Sequence, residues 1–486
     1  MKKLLPLLLL YLTSTISLGQ SYKIMQSASG VIEQFNAIYD NEENLFGYVE
    51  LRKMEQESKE TMVFKYIVLD KNMNTVCSGN LKENIVKRRC QKINYDISYN
   101  NGHIIFSFFE QLGKSDRVRC SYQILKIDTN TILANAFFDE FVKTQTSIKK
   151  LIKNYKSYQI TGLGKEGFLI RSENYNPWHT PKLYYYAINF KGEKIWEQAY
   201  KTPEKKRFYY RYKLIDNDNK YVVLLAAKYR RKNKKSDNLL ILDAKTGAQI
   251  AFTNLYNKKY SLTYENIKIK DDKIYIVGRF FKKEAHDLLI DNESLGLYQR
   301  IVNLKDGSII SDKFLDYDKF NGLDITKKGK VRGDGYLNFT KIEMNPDGSY
   351  FLLGETYGSY TLGFYYYGLY SFNINKDFNM EKIYTFDTKR SIGTKYVFSQ
   401  TLLNKSGKVY FFFDKNEEKE PELNILNFNY ANKESVVEKI KITNKDSEIK
   451  IIPAKPGYVG IVEIFKDPKE GEKALELRLE KLNYKR

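Results

Sequence analysis

A strand and turn pattern recurs along this chain at a nearly regular interval. In each copy an alternating apolar strand runs into a turn rich in Asn, Asp and Gly, as in residues 186–192, 240–247 and 300–307. Asn and Asp tolerate left-handed backbone and Gly adopts positive φ at no steric cost, so these residues suit tight reversals. The turns recur about every 53 to 70 residues, somewhat longer than the roughly 40–50 residues of a minimal four-stranded blade. The pattern predicts a repeat protein built from β-strand units.

A compact apolar segment precedes each unit's alternating strand. Eight such segments occupy residues 45–51, 103–109, 167–172, 221–227, 273–280, 350–355, 408–414 and 458–465. Their near-continuous Val, Ile, Leu, Phe and Tyr content is typical of strands buried on both faces. No amphipathic helical pattern interrupts the series, and the chain exceeds the roughly 250–300 residues at which one ordinary core stops growing. An all-β fold of stacked units, a β-propeller, accounts for both observations.

The last unit lacks one strand, and the start of the chain offers a replacement. Segments 22–26 and 31–35 both precede the first complete unit and have strand character. An N-terminal strand that completes the C-terminal blade closes the ring and removes exposed strand edges. We therefore predict eight blades, with seven as the alternative. A pair of β-sandwiches or an open solenoid are other arrangements of the same strands.

The first 19 residues have the character of a secretory signal. Lys2 and Lys3 form a basic start. An apolar stretch over residues 4–12 follows, and small residues then lead to Gln20. This order is typical of a cleaved signal peptide, and no later segment offers the roughly 18 uncharged apolar residues of a membrane span. We expect residues 20–486 to form a single propeller domain in the periplasm, at the cell surface or outside the cell.

The chain is strongly basic. Its formal net charge is +21, and it is +19 once Lys2 and Lys3 are removed with the signal. Such a balance favours anionic partners, although the charges are spread along the chain and the abundance of Lys, Asn, Ile and Tyr also fits an AT-rich coding sequence. We expect a monomer whose partner is an unknown protein or an anionic polysaccharide, and we do not expect nucleic acid.

One stretch concentrates basic and aromatic residues. Residues 205–213 read Lys-Lys-Arg-Phe-Tyr-Tyr-Arg-Tyr-Lys, and residues 230–235 add a second basic run in the same unit. In a propeller the connection between blades and one set of blade hairpins emerge on the same rim, so the two runs are expected to form one positive patch. Its tyrosines can stack on sugar rings. The predicted binding residues are Arg207, Tyr209, Tyr210, Arg211, Arg230, Arg231 and Lys232. A solvated hairpin beside an ordinary inner strand is the alternative.

The cysteines and acidic runs give little sign of metal or redox chemistry. Three cysteines allow one disulfide, predicted between Cys90 and Cys120, and leave Cys77 as a thiol. No CxxC spacing or histidine cluster is present, so no metal site is predicted. Residues 216–220, Asp-Asn-Asp-Asn-Lys, look like a calcium loop but lack the Gly and the distal Glu of an EF-hand. A tight turn between two strands is predicted there.

Two turns resemble the repeat of quinoprotein-type propellers. They are Asp-Ala-Lys-Thr-Gly-Ala-Gln-Ile at 243–250 and Lys-Gly-Glu-Lys-Ile-Trp-Glu at 191–197. In that family a tryptophan ends each motif and docks onto the next blade, a part that Trp196 is placed to play once. The other units lack the tryptophan, so the resemblance implies a propeller without a quinone, and no cofactor is expected. As a whole the chain resembles large exported bacterial proteins of unassigned function.

Signatures of catalysis are missing from the sequence. There is no Gly-x-Ser-x-Gly elbow, no phosphate-binding glycine loop and no Asp-box. A glycosidase needs two carboxyls about 5 to 9.5 Å apart across a cleft, a distance that sequence spacing between blades does not establish. The leading hypothesis is an exported, non-catalytic binding module with its ligand at one rim or in the central channel. The alternatives are a glycan hydrolase or lyase acting in that channel and a structural subunit of an envelope complex.

Overall fold

The computed structural model describes most of the chain after the predicted signal. The described residues are 20–24, 31–40, 44–54, 57, 61–84, 90–112, 118–138, 155–175, 182–201, 208–230, 233–283, 293–360, 363–386, 391–392, 396–401, 407–414, 422–441, 447–465 and 475–482. The predicted signal peptide, residues 1–19, lies outside them. Over these same ranges, none of the helical structure is long and apolar enough to span a membrane.

The first half of the chain forms β1 (Gln20–Ile24) and four blades. Blade one contains β2 (Val31–Tyr39), β3 (Leu45–Lys53), β4 (Thr61–Asp70) and β5 (Thr75–Asn84). Blade two contains β6 (Cys90–Asn100), β7 (His103–Leu112), β8 (Val118–Lys126) and β9 (Thr131–Phe137). Blade three contains β10 (Tyr155–Leu163), β11 (Gly167–Tyr175), β12 (Lys182–Asn189) and β13 (Lys194–Lys201). Blade four contains β14 (Phe208–Asn217), β15 (Tyr221–Arg230), β16 (Asn233–Asp243) and β17 (Gln249–Asn254).

The second half forms four more blades. Blade five contains β18 (Tyr260–Leu262), β19 (Asn266–Lys270), β20 (Lys273–Lys282), β21 (Gly296–Asn303) and β22 (Ile309–Asp316), followed by a 3₁₀ turn at Tyr317–Lys319. Blade six contains β23 (Lys330–Val331), β24 (Gly335–Met344), β25 (Tyr350–Tyr360), β26 (Gly363–Ile374), β27 (Met380–Phe386) and β28 (Ser391–Ile392). Blade seven contains β29 (Tyr396–Thr401), β30 (Gly407–Asp414), β31 (Glu422–Asn429) and β32 (Ser435–Lys441). Blade eight contains β33 (Ser447–Ile452), β34 (Tyr458–Phe465) and β35 (Leu475–Lys481).

The strands assemble into eight separate antiparallel sheets arranged as a ring, which is an eight-bladed β-propeller. Strands that follow one another along the chain are mostly hydrogen-bonded neighbours. In blade five both β18 and β19 pair with β20, and in blade six β28 pairs with β26. The first strands of consecutive blades also approach each other, as β2 does β6 and β6 does β10. This approach places the first strand of every blade at the axis. The prediction of an all-β propeller with eight rather than seven blades is confirmed.

The two ends of the chain meet in blade eight. β1 pairs antiparallel with β35, from Gln20 opposite Leu479 to Ile24 opposite Leu475. The predicted closure of the last blade by an N-terminal strand is therefore confirmed, and the first candidate segment overlaps β1. The other candidate, residues 31–35, is wrong as the closing strand, because these residues begin the inner strand of blade one.

The eight apolar segments of the sequence are the second strands of the eight blades. In β15, Val222, Val223 and Leu224 are all fully buried. Val222 and Leu224 pack in one core with residues of blade three, whereas Val223 packs in another with residues of blade five. Burial on both faces explains why these strands lack polar alternation.

In seven blades, the turn between the third and outer strands shares one backbone feature. Each of these turns contains one residue with positive φ: Met73, Asn130, Gly192, Gly247, Gly307, Phe378 or Lys433. An Asp or Asn at the head of the turn commonly accepts the following amides. Asp243, for example, accepts hydrogen bonds from the backbone N–H groups of Lys245 and Thr246. This is the Asx chemistry from which the repeat was predicted.

The outer strand of one blade packs against the turn between the third and outer strands of the next blade. The Trp196 indole N–H, in blade three, donates to the Ala244 carbonyl at 2.8 Å, and a Cβ added at Gly247 would lie 2.6 Å from the Trp196 ring. Gln198 donates to the Gly247 carbonyl beside it. The docking of Trp196 expected from the quinoprotein-type resemblance is present. In blade four, Thr253 replaces the indole and donates to Gly307 of blade five.

The propeller has two rims of different construction. The turn rim carries the turns from first to second and from third to outer strands, including Asp40, Asn44 and residues 164–166, 218–220 and 244–248. The connection rim carries the hairpins from second to third strands and the links between blades, including residues 255–259 and 317–329. The predicted basic and aromatic patch belongs to the connection rim.

Candidate functional site

The predicted patch contains a compact group of two tyrosines and one arginine at the connection end of the channel. Tyr209 on β14 lies directly opposite Tyr229 on β15. Their rings stack with centroids 5.3 Å apart and planes 13° apart. The Arg211 guanidinium lies 5.0 Å from the Tyr229 ring and 5.8 Å from the Tyr209 ring. We call these three residues the Tyr–Arg cluster.

The strand pairing explains why the cluster forms. Directly opposed residues of antiparallel strands have neighbouring Cβ atoms, and side chains two positions apart lie on the same face. Tyr209 and Arg211 therefore share one face of β14. The alternate residue Tyr212 lies on the other face, where its ring centroid is 4.2 Å from that of Tyr200 in blade three. Burial raises the pKa of Tyr212, so one face of β14 is packed and the other is open.

Arg211 is available to a ligand. Its side chain is exposed, and within the described part of the chain its guanidinium lies against aromatic rings and not against carboxylates. A cation over a ring at an exposed site gains about 0.5–1 kcal/mol, which orients the guanidinium without using its N–H donors. A planar guanidinium held in this way suits a carboxylate or sulfate group.

Two further lysines contact tyrosines on the connection rim of blade five. The Lys283 ammonium donates to the Tyr256 hydroxyl and, at 2.8 Å, to the Lys258 carbonyl. It lies 4.6 Å from the centroid of Tyr256, whose side chain is 51% exposed. The Lys259 ammonium lies 5.0 Å from the ring of Tyr260. Sequence reasoning missed these residues because the two members of the first pair are far apart along the chain, in an inter-blade link and after β20. Each pair has one member, Tyr256 or Lys259, in the short link between blades four and five, and this is the sequence feature that could have identified them.

The structure describes only some of the seven predicted binding residues. It brings Tyr209 and Arg211 together and places Tyr210 opposite Lys228, whose ammonium lies 6.0 Å from the Tyr210 ring. Arg230 ends β15 opposite Phe208, but its side chain is outside the described part. Arg207, Arg231 and Lys232 lie outside the described residues altogether, so their membership of the patch stays a prediction.

A cavity at the opposite end of the channel is the second candidate site. Its volume is about 590 Å³. It is formed by the ends of the inner strands and the following turns of blades one to four. It is lined by Ala37, Ile38, Tyr39, Asp40, Ile97, Ser98, Tyr99, Thr161, Gly162, Gly164, Lys165, Asp216, Asn217, Asp218 and Asn219. We call it the channel-mouth cavity. Sequence reasoning missed it, because its lining comes from four units.

The carboxylates of this cavity cap the chain's own backbone. Asp40 accepts the Asn44 backbone N–H at 2.8 Å. Asp218 accepts the backbone N–H groups of Lys220 and Tyr221, both at 2.7 Å. Asp216 accepts the N–H of Ile269 in blade five at 2.8 Å. These bonds confirm the tight turn predicted for residues 216–220. They give the carboxylates a structural role in the turns, which is distinct from the proton transfer of a general acid.

The predicted disulfide does not fit the strand register. Cys90 on β6 lies opposite Leu112 of β7, and Cys120 on β8 lies opposite Phe109 of β7. The two cysteines are thus separated by the whole width of β7. Neighbouring strands are about 4.8 Å apart, so the Cα atoms lie beyond the roughly 7 Å that a disulfide tolerates. Cys77 is a buried thiol whose pKa is raised to about 11 by burial.

Metal ligands do not gather anywhere in the described residues. Groups of three or more His, Cys, Asp and Glu side chains able to hold an ion are absent from that part of the chain. The carboxylates at the channel mouth act as hydrogen-bond acceptors.

A family profile spans both the ring and its closing strand. It matches residues 1–364 and 370–483, which include all eight blades. The chain belongs to DUF6770, a family of unknown function. A search of curated proteins found no match to this DUF6770 chain.

Several solved structures are similar to the DUF6770 chain at low identity. The WD40 domain of SCAP from fission yeast is 10% identical with a TM-score of 0.40, covering 94% of this chain and 98% of that one. A europium-containing methanol dehydrogenase is 10% identical with a TM-score of 0.39, covering 95% and 92%. The propeller domain of the Trilobed protease from Pyrococcus furiosus is 10% identical with a TM-score of 0.36, covering 81% and 97%. The site is therefore interpreted from its own residues.

Proposed function

We propose that this protein is exported and acts as a non-catalytic binding module for an anionic polysaccharide, held at the Tyr–Arg cluster. The observation that carries the proposal is the exposed Arg211 guanidinium, which lies 5.0 Å from the Tyr229 ring and 5.8 Å from the Tyr209 ring. Arginine binds carboxylates and sulfates in a planar, bidentate manner, and tyrosine rings stack on sugar faces. The guanidinium thus recognises the charge of the ligand, and the tyrosine rings supply the apolar contact.

The surroundings of the cluster support an anionic ligand. The whole chain carries a formal net charge of +21, which attracts polyanions before contact. The Lys283–Tyr256 and Lys259–Tyr260 pairs continue the same chemistry onto blade five. A polymer bound at blade four therefore meets further cations on aromatic rings along the same rim.

Binding to alginate, a polymer of uronic acids, tests this function. We expect the full-length mature protein to be retained on immobilised alginate at 0.05 M salt, and less at 0.5 M salt because exposed charges are screened. Arg211→Ala is expected to weaken binding about tenfold, since a hydrogen bond to a charged group contributes about 1.5–3 kcal/mol. Arg211→Lys is expected to lose most of the same affinity, because an ammonium lacks the planar fork.

A matched control separates local recognition from overall charge. Lys245 is exposed on the turn rim of the same blade, so Lys245→Ala removes one positive charge from the opposite side of blade four. Its alginate binding is expected to stay close to that of the unmodified protein. Equal losses in Arg211→Ala and Lys245→Ala, or retention that is independent of salt, would show that the Tyr–Arg cluster is not the binding site.

Export is tested by the N-terminus of the protein recovered from its own cells. Cleavage after residue 19 leaves Gln20 as the first residue, which Edman sequencing or peptide mass spectrometry detects. Recovery of the intact chain with Met1 in the cytoplasm would contradict export. β1 begins at Gln20, so this cleavage leaves the closing strand complete.

A further inference from the structure

We propose that the channel-mouth cavity is a second binding site, for a small neutral saccharide. This site is separate from the polyanion site of the connection rim, because the two lie at opposite ends of the channel. Its volume of about 590 Å³ falls within the roughly 300–1,000 Å³ of small-molecule sites. The remaining argument rests on three features: its asymmetry, its rigid frame and the chemistry of its lining.

The described lining of the cavity lies on one side of the ring. Within the part of the chain that the structure describes, the lining residues come from blades one to four. The ends of these four inner strands, and the turns that follow them in blades one, three and four, contribute the lining.

Hydrogen bonds between blades hold the frame of the cavity. The Gln34 amide of blade one donates to the Tyr95 carbonyl of blade two at 2.9 Å. The Asn217 amide of blade four donates to the Gly162 carbonyl of blade three at 2.7 Å.

Blades two and three are joined in the same manner. The buried Asn100 amide donates to the Gly167 carbonyl at 2.5 Å. At each of the three junctions around the cavity, a side chain of an inner strand therefore donates a hydrogen bond to the neighbouring blade. A site formed in advance of binding loses less ordering entropy when a ligand enters.

The lining disfavours anions and suits hydroxyl groups. The three carboxylates of Asp40, Asp216 and Asp218 outnumber the single ammonium of Lys165, so an anionic ligand is repelled. A sugar hydroxyl donates one hydrogen bond and accepts others, so it can use both kinds of group at once. The amide of Asn219, at the exposed edge of the lining, can also donate and accept.

Two aromatic rings provide the contact for a sugar face. Tyr39 and Tyr99 end the inner strands of blades one and two and both line the cavity. Tyr39 is 38% exposed, so its ring remains accessible. The Tyr99 hydroxyl accepts the Gly102 N–H at 3.0 Å and keeps its own proton as a donor.

Calorimetry with three matched sugars tests the site on the full-length mature protein. The neutral probe is the disaccharide cellobiose, the cationic probe is glucosamine, and the anionic probe is sodium glucuronate. We expect cellobiose to bind with one site per chain and glucuronate, which the carboxylates repel, to bind at least tenfold more weakly. Heat from glucosamine alone would indicate a cation site and overturn the proposal, as would the absence of heat from cellobiose.

Substitutions in the lining locate the bound sugar. Tyr39→Ala is expected to weaken cellobiose binding about tenfold, as stacking on an aromatic ring contributes roughly 1–3 kcal/mol. Lys165→Ala removes an exposed side chain and is expected to weaken it several-fold without affecting folding. Lys376→Ala, at an exposed position of the turn rim in blade six, is the matched control and should bind like the unmodified protein.

The two proposed sites can fail separately. Arg211→Ala should leave cellobiose binding unchanged, and Lys165→Ala should leave alginate binding unchanged. Cellobiose binding that survives both Tyr39→Ala and Lys165→Ala would overturn the channel-mouth site. If Tyr39→Ala does not fold, the comparison of Lys165→Ala with Lys376→Ala decides the question.

Discussion

The cations of the turn rim and those of the Tyr–Arg cluster are held in different ways. On the turn rim, Lys220 of blade four pairs with Asp272 of blade five at 2.9 Å. On the connection rim, Arg211 lies against the ring of Tyr229. A carboxylate neutralises the charge that it holds, whereas a ring orients a cation and leaves its charge and donors exposed.

The difference follows from what each rim does in the ring. On the turn rim, the turns of neighbouring blades contact each other, and their charged side chains form ion pairs between blades. Lys433 of blade seven, for example, pairs with Asp347 of blade six at 2.9 Å. Ion pairs also occur elsewhere on the connection rim, as between Lys82 and Glu57. Cation–tyrosine contacts also occur in blades three, six and eight, as between Lys455 and Tyr458 on the turn rim. We place the polyanion site at blade four because Arg211 there is exposed and lies against two stacked tyrosine rings.

The largest expected effect concerns the glycine turns. A Cβ at Gly247, where φ is +68°, would lie 2.6 Å from the Trp196 ring that docks on this turn. Gly322 of the connection rim also has positive φ, +95°, but has open space around it. We expect Gly247→Ala to destabilise the fold by about 3 kcal/mol and Gly322→Ala by only about 1 kcal/mol, the cost of strained backbone alone. Urea unfolding measures both.

The outcome bears directly on the two rims. If the two glycine variants lose equal stability, the grip of Trp196 on its neighbouring turn contributes nothing beyond backbone strain. The turn rim would then not be the structural rim that its contacts indicate.

A smaller effect is expected from acid. Glu343 near the turn rim of blade six is salt-bridged to Lys341 of its own blade and to Lys408 of blade seven. Burial alone would raise its pKa, but the attraction of the two ammonium groups outweighs burial and lowers the pKa to about 2. Its contribution is therefore complete above pH 4.5 and is lost as the pH falls toward 2, an expected change of about 2 kcal/mol.

Urea unfolding at pH 6, 4 and 3 measures this loss. Glu343→Gln should be less stable at pH 6 and should change less with pH than the unmodified protein. Glu381→Gln, at an exposed position of the same blade, is the control and should follow the unmodified protein. An unaltered pH profile in Glu343→Gln would show that the junction between blades six and seven does not depend on this charge.

The smallest effect distinguishes ion pairs from cations on rings. Lys433→Asn removes the pair with Asp347 while keeping a residue that tolerates the positive φ of this turn. We expect a loss of about 0.2–1 kcal/mol that disappears in 1 M salt. Arg211→Ala should change stability by less than about 0.5 kcal/mol at either salt concentration. A salt-dependent loss in Arg211→Ala would mean that this cation is structural and not held for a ligand.

Much of the fold was predictable because a buried strand must be apolar on both faces. The eight second strands, exemplified by Val222–Leu224, were located from the sequence for this reason. The inner strands were harder to locate, because they mix buried apolar and exposed polar side chains: β14 has Tyr212 half-buried against blade three and Arg211 exposed on the other face. A strand of this composition resembles a polar connection.

The candidate sites divide in the same way. The Tyr–Arg cluster was within reach of the sequence, because its members lie in one unit and on paired strands. The channel-mouth cavity and the Lys283–Tyr256 pair were not, because each joins residues that are distant along the chain. The Cys90–Cys120 bridge failed for the same reason, since a count of cysteines gives no information on which strands are neighbours.

By itself, the sequence determined the kind of protein and the number of its units. Local physics sufficed for this: turns that need positive φ, strands that need burial, and an N-terminal segment that can supply a missing strand. Only the tertiary structure decided which rim holds paired charges, where the channel widens into a cavity and which of its groups face one another. Those features depend on the register between strands and on the junctions between blades, which form only when the ring closes.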